Sequence, residues 1–210
     1  MKYIFSFLFA FLIGSIPFSF IVGKVTKHID IRNYGSKNPG SGNVFHLISI
    51  RAGLLALAGD LLKGVVAVYF PYIIYKFPAP VLTLIGLGAV LGHVYSPFLG
   101  FKGGKGAATT IGVFLFIIFA AFGLNEALLV LSILILIWVV LLLITHSQVV
   151  SLAATLPIFA FLVYIFSNNL YFFLAVLLFA VIEELFGLSS LRKEWKVSYE
   201  KYIRRFLRRS

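Results

Sequence analysis

Seven apolar runs, each long enough to cross a membrane as a helix, alternate with short polar stretches along the 210 residues. A bilayer's hydrocarbon core is about 30 Å thick and takes roughly 20 helical residues to span. The runs cover residues 3–23, 53–75, 79–99, 106–124, 127–145, 149–166 and 169–188. Helix-breaking or polar clusters separate them: Lys76-Phe77-Pro78 with Pro80, Gly100 to Gly106, Gly123 to Glu126, Thr145 to Gln148, and Ser167-Asn168-Asn169. The runs are continuous rather than alternating at period two, which excludes a spanning barrel. The pattern predicts an all-α membrane protein of seven transmembrane helices. The first run is longer than the core of a secretory signal, and Gly14-Ser15-Ile16-Pro17 is not a small-residue cleavage site, so it is expected to be retained. No internal repeat or long linker divides the chain. Residues 1–188 read as one membrane domain and 189–210 as its basic tail.

Composition sharpens this picture. Apolar residues make up 61% and charged residues only 12%, against roughly 45–50% and 25% in soluble domains. A soluble enzyme, a coiled coil and a disordered regulator are excluded. With no cysteine, a disulfide framework, a thiolate nucleophile and a cysteine metal site are excluded as well.

A net charge of +11 would suit nucleic acid, but the charges sit at membrane edges. Five basic residues lie between spans one and two: Lys24, Lys27, Arg32, Lys37 and Arg51. Lys102 and Lys105 lie between spans three and four, and eight more follow span seven. Seven spans put all three groups on one side, leaving Lys2 and Lys76 opposite and Lys63 inside a span. Because basic loops stay cytoplasmic, the N-terminus is expected outside and the tail inside. The tail interleaves Trp195, Tyr199, Tyr202 and Phe206 with its basic residues, as suits a helix lying on anionic headgroups. Membrane lipids, and no nucleic acid, are the expected surroundings.

Two cytoplasmic stretches could carry chemistry. The first, Asp30 to Val44, holds three glycines, two serines and three asparagines within residues 33–43. Glycines let successive N–H groups turn toward an anion, and Ser and Asn add neutral donors. A span-two helix starting just beyond would aim its positive end at the same place. The same composition also suits a plain flexible loop. The second, Gly100-Phe101-Lys102-Gly103-Gly104-Lys105-Gly106, sets two lysines among four glycines. It reads as a phosphate cradle or a tight turn with positive-inside lysines. It is not a Walker A loop, because no Ser or Thr follows Lys105.

Inside the spans, Asp60 and Lys63 stand at (i, i+3), about 10 Å from the cytoplasmic end of span two. A bare charge in mid-bilayer costs at least about 2.5–3.5 kcal/mol, so both should face the bundle or each other. His93 near the inner end of span three reads as a hydrogen-bonded anchor or a base. Ser151 opens span six. Glu183 and Glu184, near the end of span seven, oppose the helix dipole and call for basic partners.

Taken in order, these residues resemble the acyl-phosphate-dependent glycerol-3-phosphate acyltransferases of the bacterial membrane, the PlsY type. The matching stretches are Gly14-Ser15-Ile16-Pro17, Asp30-Ile31-Arg32 through Gly42-Asn43-Val44, and Asp60-Leu61-Leu62-Lys63-Gly64. They continue with Leu91-Gly92-His93-Val94-Tyr95, Phe101-Lys102-Gly103-Gly104-Lys105-Gly106 with Ala108-Thr109, and Val150-Ser151-Leu152-Ala153. The resemblance implies seven spans, an external N-terminus, an active site on the cytoplasmic face of the inner membrane, and the first step of phospholipid synthesis. That step moves a fatty acyl group from acyl-phosphate to the 1-hydroxyl of sn-glycerol 3-phosphate, giving lysophosphatidic acid and phosphate. It also implies a functional link to an enzyme that makes acyl-phosphate.

The expected catalytic residues are Ser36, Asn43, Lys105 and Ser151. Phosphate binding falls to Gly35, Gly40, Ser41, Gly42, His46, Arg51, Lys102, Gly103, Gly104 and Gly106, with Asp60, Lys63 and His93 in support. No cofactor or metal is expected. An activated donor needs no protein nucleophile, so proximity and electrostatics would supply the rate. The soluble-type signature, His followed five residues later by Asp, is absent at all four histidines.

Two positions depart from the family pattern. His46 stands where the family typically has Arg, and residues 188–195 lack its His-Arg-x-Asn stretch. A divergent paralogue without activity is therefore one alternative. A small transporter or lipid-handling protein, suggested by Asp60 and Lys63 but lacking an inverted repeat, is another.

Overall fold

The computed structural model describes residues 1–145, 148–183 and 185, and among these it contains helices and no strand. The helices are α1 (Lys2–Ser15), α2 (Phe18–Lys27), α3 (Ser41–Leu47), α4 (Ile50–Tyr75), α5 (Ala79–Val94), α6 (Ala107–Ala121), α7 (Leu124–Thr145), α8 (Gln148–Ser167) and α9 (Leu170–Glu183). Four stretches are long and apolar enough to cross a membrane: 2–27, 50–75, 79–99 and 124–144. Three shorter apolar helices, 107–121, 154–167 and 170–183, accompany them. The tail 189–210 and Glu184 lie outside the described residues.

The described residues refine these expectations. The first span is two helices rather than one. Pro17 lacks an N–H and disfavours helical geometry at Ile16, which is extended at φ −61°, ψ 117°. The polar stretch after it is folded rather than loose: residues 31–33 form a 3₁₀ turn and 41–47 form α3. Consequently α4 starts at Ile50, with Ser49 Oγ accepting from Ala52 N at 3.2 Å. That cap serves one N–H of its first turn, and α3, which itself carries Gly42, lies between α4 and the rest of the polar stretch. Asp60 lies ten residues into α4, about 15 Å along the axis at ~1.5 Å per residue, deeper than the sequence suggested. The third span keeps its expected bounds, 79–99, but within it α5 ends at Val94 and a separate 3₁₀ turn covers 97–99.

Helices in lipid gain no hydrophobic drive to associate, so small residues that let backbones approach decide the packing. A side chain at Gly14 would strike the Ala89 backbone, and one at Gly92 would strike Phe11 O, which sets α1 directly on α5. Gly64 against Thr109 O and Gly112 against Leu61 O do the same for α4 and α6. Phe114 packs edge-on against Phe159 and Phe179, at 5.0 and 4.7 Å, tying α8 and α9 to that pair. Of the four long apolar stretches, α7 is the least buried.

The bundle's two ends differ in chemistry. At one, Tyr3 stacks on Phe77 at 5.0 Å and Lys2 lies over the same ring. At the other, Ser96 Oγ donates to Ser15 O at 2.6 Å, and both glycine-bearing stretches gather.

Candidate functional site

The first polar stretch is built on two side chains. Asp30 accepts from Arg32 N at 3.0 Å and from its guanidinium at 2.8–3.2 Å. That hydrogen-bonded cation holds the Asp30 carboxyl below the usual carboxylate range, and the carboxylate raises Arg32 in return. Asn43 is buried. Its Nδ2 donates to Ile31 O at 2.9 Å and Tyr34 O at 3.1 Å, while its Oδ1 accepts from Ser36 N at 3.0 Å. One amide thus closes residues 31–43 into a ring. Gly35, at φ +58°, lies where a Cβ would meet Asn43 Oδ1. Ser36 and Gly42 are exposed on this ring, Ser41 opens α3, and His46 and Arg51 are exposed beyond it.

The second stretch folds back onto the inner end of α5. Phe101 N donates to Ser96 O and Gly103 N to Val94 O, both at 2.9 Å. Gly103 rests against the His93 carbonyl and Gly104 against the His93 ring; neither has room for a side chain. Gly106, at φ +92°, turns the chain into α6 in a conformation that only glycine adopts readily. Lys102 is exposed and Lys105 half-buried on this loop.

Arg32 joins the two stretches. Its Nη1 donates to Leu99 O at 3.0 Å, the carbonyl just before the glycine loop. The two segments therefore occupy the same end of the bundle and share a brace.

Beneath the loop lies a buried polar cluster. Asp60 Oδ1 is 2.8 Å from Lys63 Nζ and 3.6 Å from His93 Nδ1, and Asp60 Oδ2 accepts from Ser19 Oγ at 2.7 Å. Lys63 Nζ also donates to Ile16 O at 2.8 Å, a carbonyl at the break before Pro17 that also accepts from Phe18 N at 3.1 Å. His93 Nδ1 is 3.3 Å from Thr109 Oγ1. On the next residue of α6, Thr110 Oγ1 donates to Glu183 Oε1 at 3.0 Å, reaching α9. Ser151 is fully buried in the first turn of α8, its carbonyl accepting from Thr155 Oγ1 at 2.6 Å.

Asp60, Lys63 and His93, singled out in the sequence, are thus brought together, as are the two glycine stretches. Glu183 accepts from Thr110 Oγ1; the basic tail, from which its partners were expected, lies outside the described residues. Ser19, Ser96 and Thr110 were missed. Their only signal is a hydroxyl inside or beside an apolar run, which in a helix commonly bonds its own backbone.

Together these features define a class: an all-helical integral membrane protein whose polar chemistry is collected at one end of the bundle. The chain belongs to the glycerol-3-phosphate acyltransferase family, whose model matches residues 4–190. The glycerol-3-phosphate acyltransferase of Bacillus subtilis strain 168 is 49% identical over 109 residues, 52% of this chain and 55% of that protein. One from Lactobacillus johnsonii is 47% identical over 116 residues, 55% and 53% of the two chains. The chain thus spans about half the length of the curated relatives it matches. Among solved structures it is similar to PlsY (YgiH), an integral membrane glycerol 3-phosphate acyltransferase, in its glycerol 3-phosphate form. There the TM-score is 0.74 at 27% identity over 93% of both chains. The lysophosphatidic acid form of that enzyme gives 0.75 at 26% identity over the same share.

Proposed function

We propose that this chain is an acyl-phosphate-dependent glycerol-3-phosphate acyltransferase of the bacterial inner membrane. The observation that carries the reading is the 3.0 Å bond from Arg32, in the 31–43 ring, to the Leu99 carbonyl just before the two-lysine glycine loop. Two anions must be held side by side for this reaction, and two donor-rich stretches braced together suit that need. The 1-hydroxyl oxygen of glycerol 3-phosphate attacks the acyl carbon, the bond from that carbon to the phosphate oxygen breaks, and a phosphate oxygen takes the proton. Lysophosphatidic acid and phosphate leave.

In this reading Lys105, Ser36, Asn43 and Ser151 are the catalytic set. Asn43 acts by holding the ring's shape. Gly35, Gly40, Ser41, Gly42, His46, Arg51, Lys102, Gly103, Gly104 and Gly106 line the phosphate sites. The acyl tail lies between helices, open to lipid. The chain crosses the bilayer seven times, with the N-terminus outside and the site cytoplasmic, and an acyl-phosphate-producing enzyme feeds it. The rival transporter reading loses its motive, since Asp60 and Lys63 are paired with one another rather than left for a passing ion.

The test is purified protein in detergent with acyl-phosphate and glycerol 3-phosphate, scored by phosphate release. Turnover is expected, and Lys105→Ala should lower kcat/KM by about a hundredfold or more, the scale of losing one charged stabiliser. No turnover by the wild type removes the enzyme reading; unchanged kinetics in Lys105→Ala removes the cradle.

A further inference from the structure

Burying an ion pair is a poor way to gain stability, because well-packed apolar residues do as well or better. The Asp60–Lys63–His93 cluster therefore calls for another reason. Its upper member touches the loop that carries Lys102 and Lys105: His93 is 7% exposed, and its Nε2 lies where a Gly104 Cβ would have to stand. Its lower edge, Nδ1, is turned toward Thr109 Oγ1 at 3.3 Å and Asp60 Oδ1 at 3.6 Å. Asp60 is itself fixed from both sides, by Lys63 at 2.8 Å and Ser19 at 2.7 Å. The ring thus has one orientation, set from α2, α4 and α6, and the glycine loop rests on it.

We propose that His93 is a positioning residue for substrate phosphate: locked at Nδ1 by the buried cluster, it forms the floor that fixes the Gly103-Gly104-Lys105 loop in its binding shape. The proposal rests on the acyltransferase reading above. A site held to within about half an ångström needs such supporting contacts behind the groups that touch the ligand. The Gly103 N to Val94 O bond ties one end of this loop to α5, and the His93 ring lies beneath the next residue, Gly104.

The two readings fail separately. Absence of turnover in the wild type counts against the acyltransferase assignment and is measured first. With an active wild type, the variants are Gly104→Ala, His93→Asn and the two combined. Asn keeps an amide near the place of Nδ1 and vacates the place of Nε2. Gly104→Ala should raise KM for a phosphate-bearing substrate about tenfold, with kcat changed less, the pattern of lost binding rather than lost chemistry. His93→Asn should raise KM only about threefold, and the double variant should return to the His93→Asn value. If the two losses multiply in the double variant, the floor is not there and the proposal falls. It falls equally if Gly104→Ala binds as the wild type does, or if kcat alone changes. All three variants keep the Asp60–Lys63 pair, so assembly is preserved. Should His93→Asn still not assemble, Gly104→Ala alone decides through its KM.

Discussion

At the scale of single residues, Arg32 does the most with one side chain. It clamps Asp30 and reaches Leu99 O, so a planar fork is required: two edges must be used at once. Arg32→Lys keeps the charge and loses the fork. It should raise KM for glycerol 3-phosphate several-fold while costing no more than about 1 kcal/mol of stability, the range of a partly exposed pair; steady-state kinetics and a melting curve check both. The sign of its pH dependence follows from Asp30, whose carboxyl is held below its unfolded value by Arg32. Such a group contributes stability that is present above the unfolded value, near 4, and is lost as pH falls through the lowered folded value. Melting midpoints of wild type and Asp30→Asn should therefore differ at pH 6–7 and converge as the pH drops below about 4. A constant difference would sever Asp30 from the brace. Asn43 was legible as a donor in a glycine-rich run; that its amide is spent on Ile31, Tyr34 and Ser36 was not, since those partners lie seven to twelve residues away.

At the scale of elements, the break between α1 and α2 and the charges on α4 explain each other. Pro17 ends α1, the Ile16 carbonyl at the break accepts from Lys63 as well as from Phe18 N, and Asp60 balances Lys63. Removing one partner of a buried pair strands the other at about 3–5 kcal/mol, whereas replacing both with apolar groups of similar size is often neutral. Asp60→Leu alone should therefore unfold or sharply destabilise the bundle, and Asp60→Leu with Lys63→Met should recover most of the loss, by thermal unfolding in detergent. A double variant as unstable as the single would mean that the carboxylate serves His93 and Ser19 more than it serves Lys63. The sequence announced Asp60 and Lys63 as neighbours on one helix face through their spacing. It gave no notice of Ser19, which comes from another helix and carries only a hydroxyl as a mark, and it named Thr109 without pairing it to His93.

At the scale of the whole molecule, the two ends of the bundle are chemically unlike. The glycine stretches and Arg32 gather at one; Lys2, Tyr3 and Phe77 meet at the other. The absence of native cysteine makes sidedness easy to read with single introduced thiols. Lys76→Cys should react with a membrane-impermeant maleimide in intact cells, and Lys37→Cys only after the membrane is opened. The reverse pattern would invert the proposed topology.

The chain alone determined that this is a helical membrane protein, roughly where its apolar runs lie, and which polar stretches gather glycines and charge. Those properties are written in runs of neighbouring residues: hydropathy over some twenty positions and glycines a few apart. Only the tertiary structure decided that span one is broken, that the first stretch is a folded ring, and that Arg32 grips Leu99 while His93 sits under Gly104. These are contacts between residues 11 to 67 positions apart, set by helices brought into contact at their glycines, and no local pattern records which helix a side chain will face.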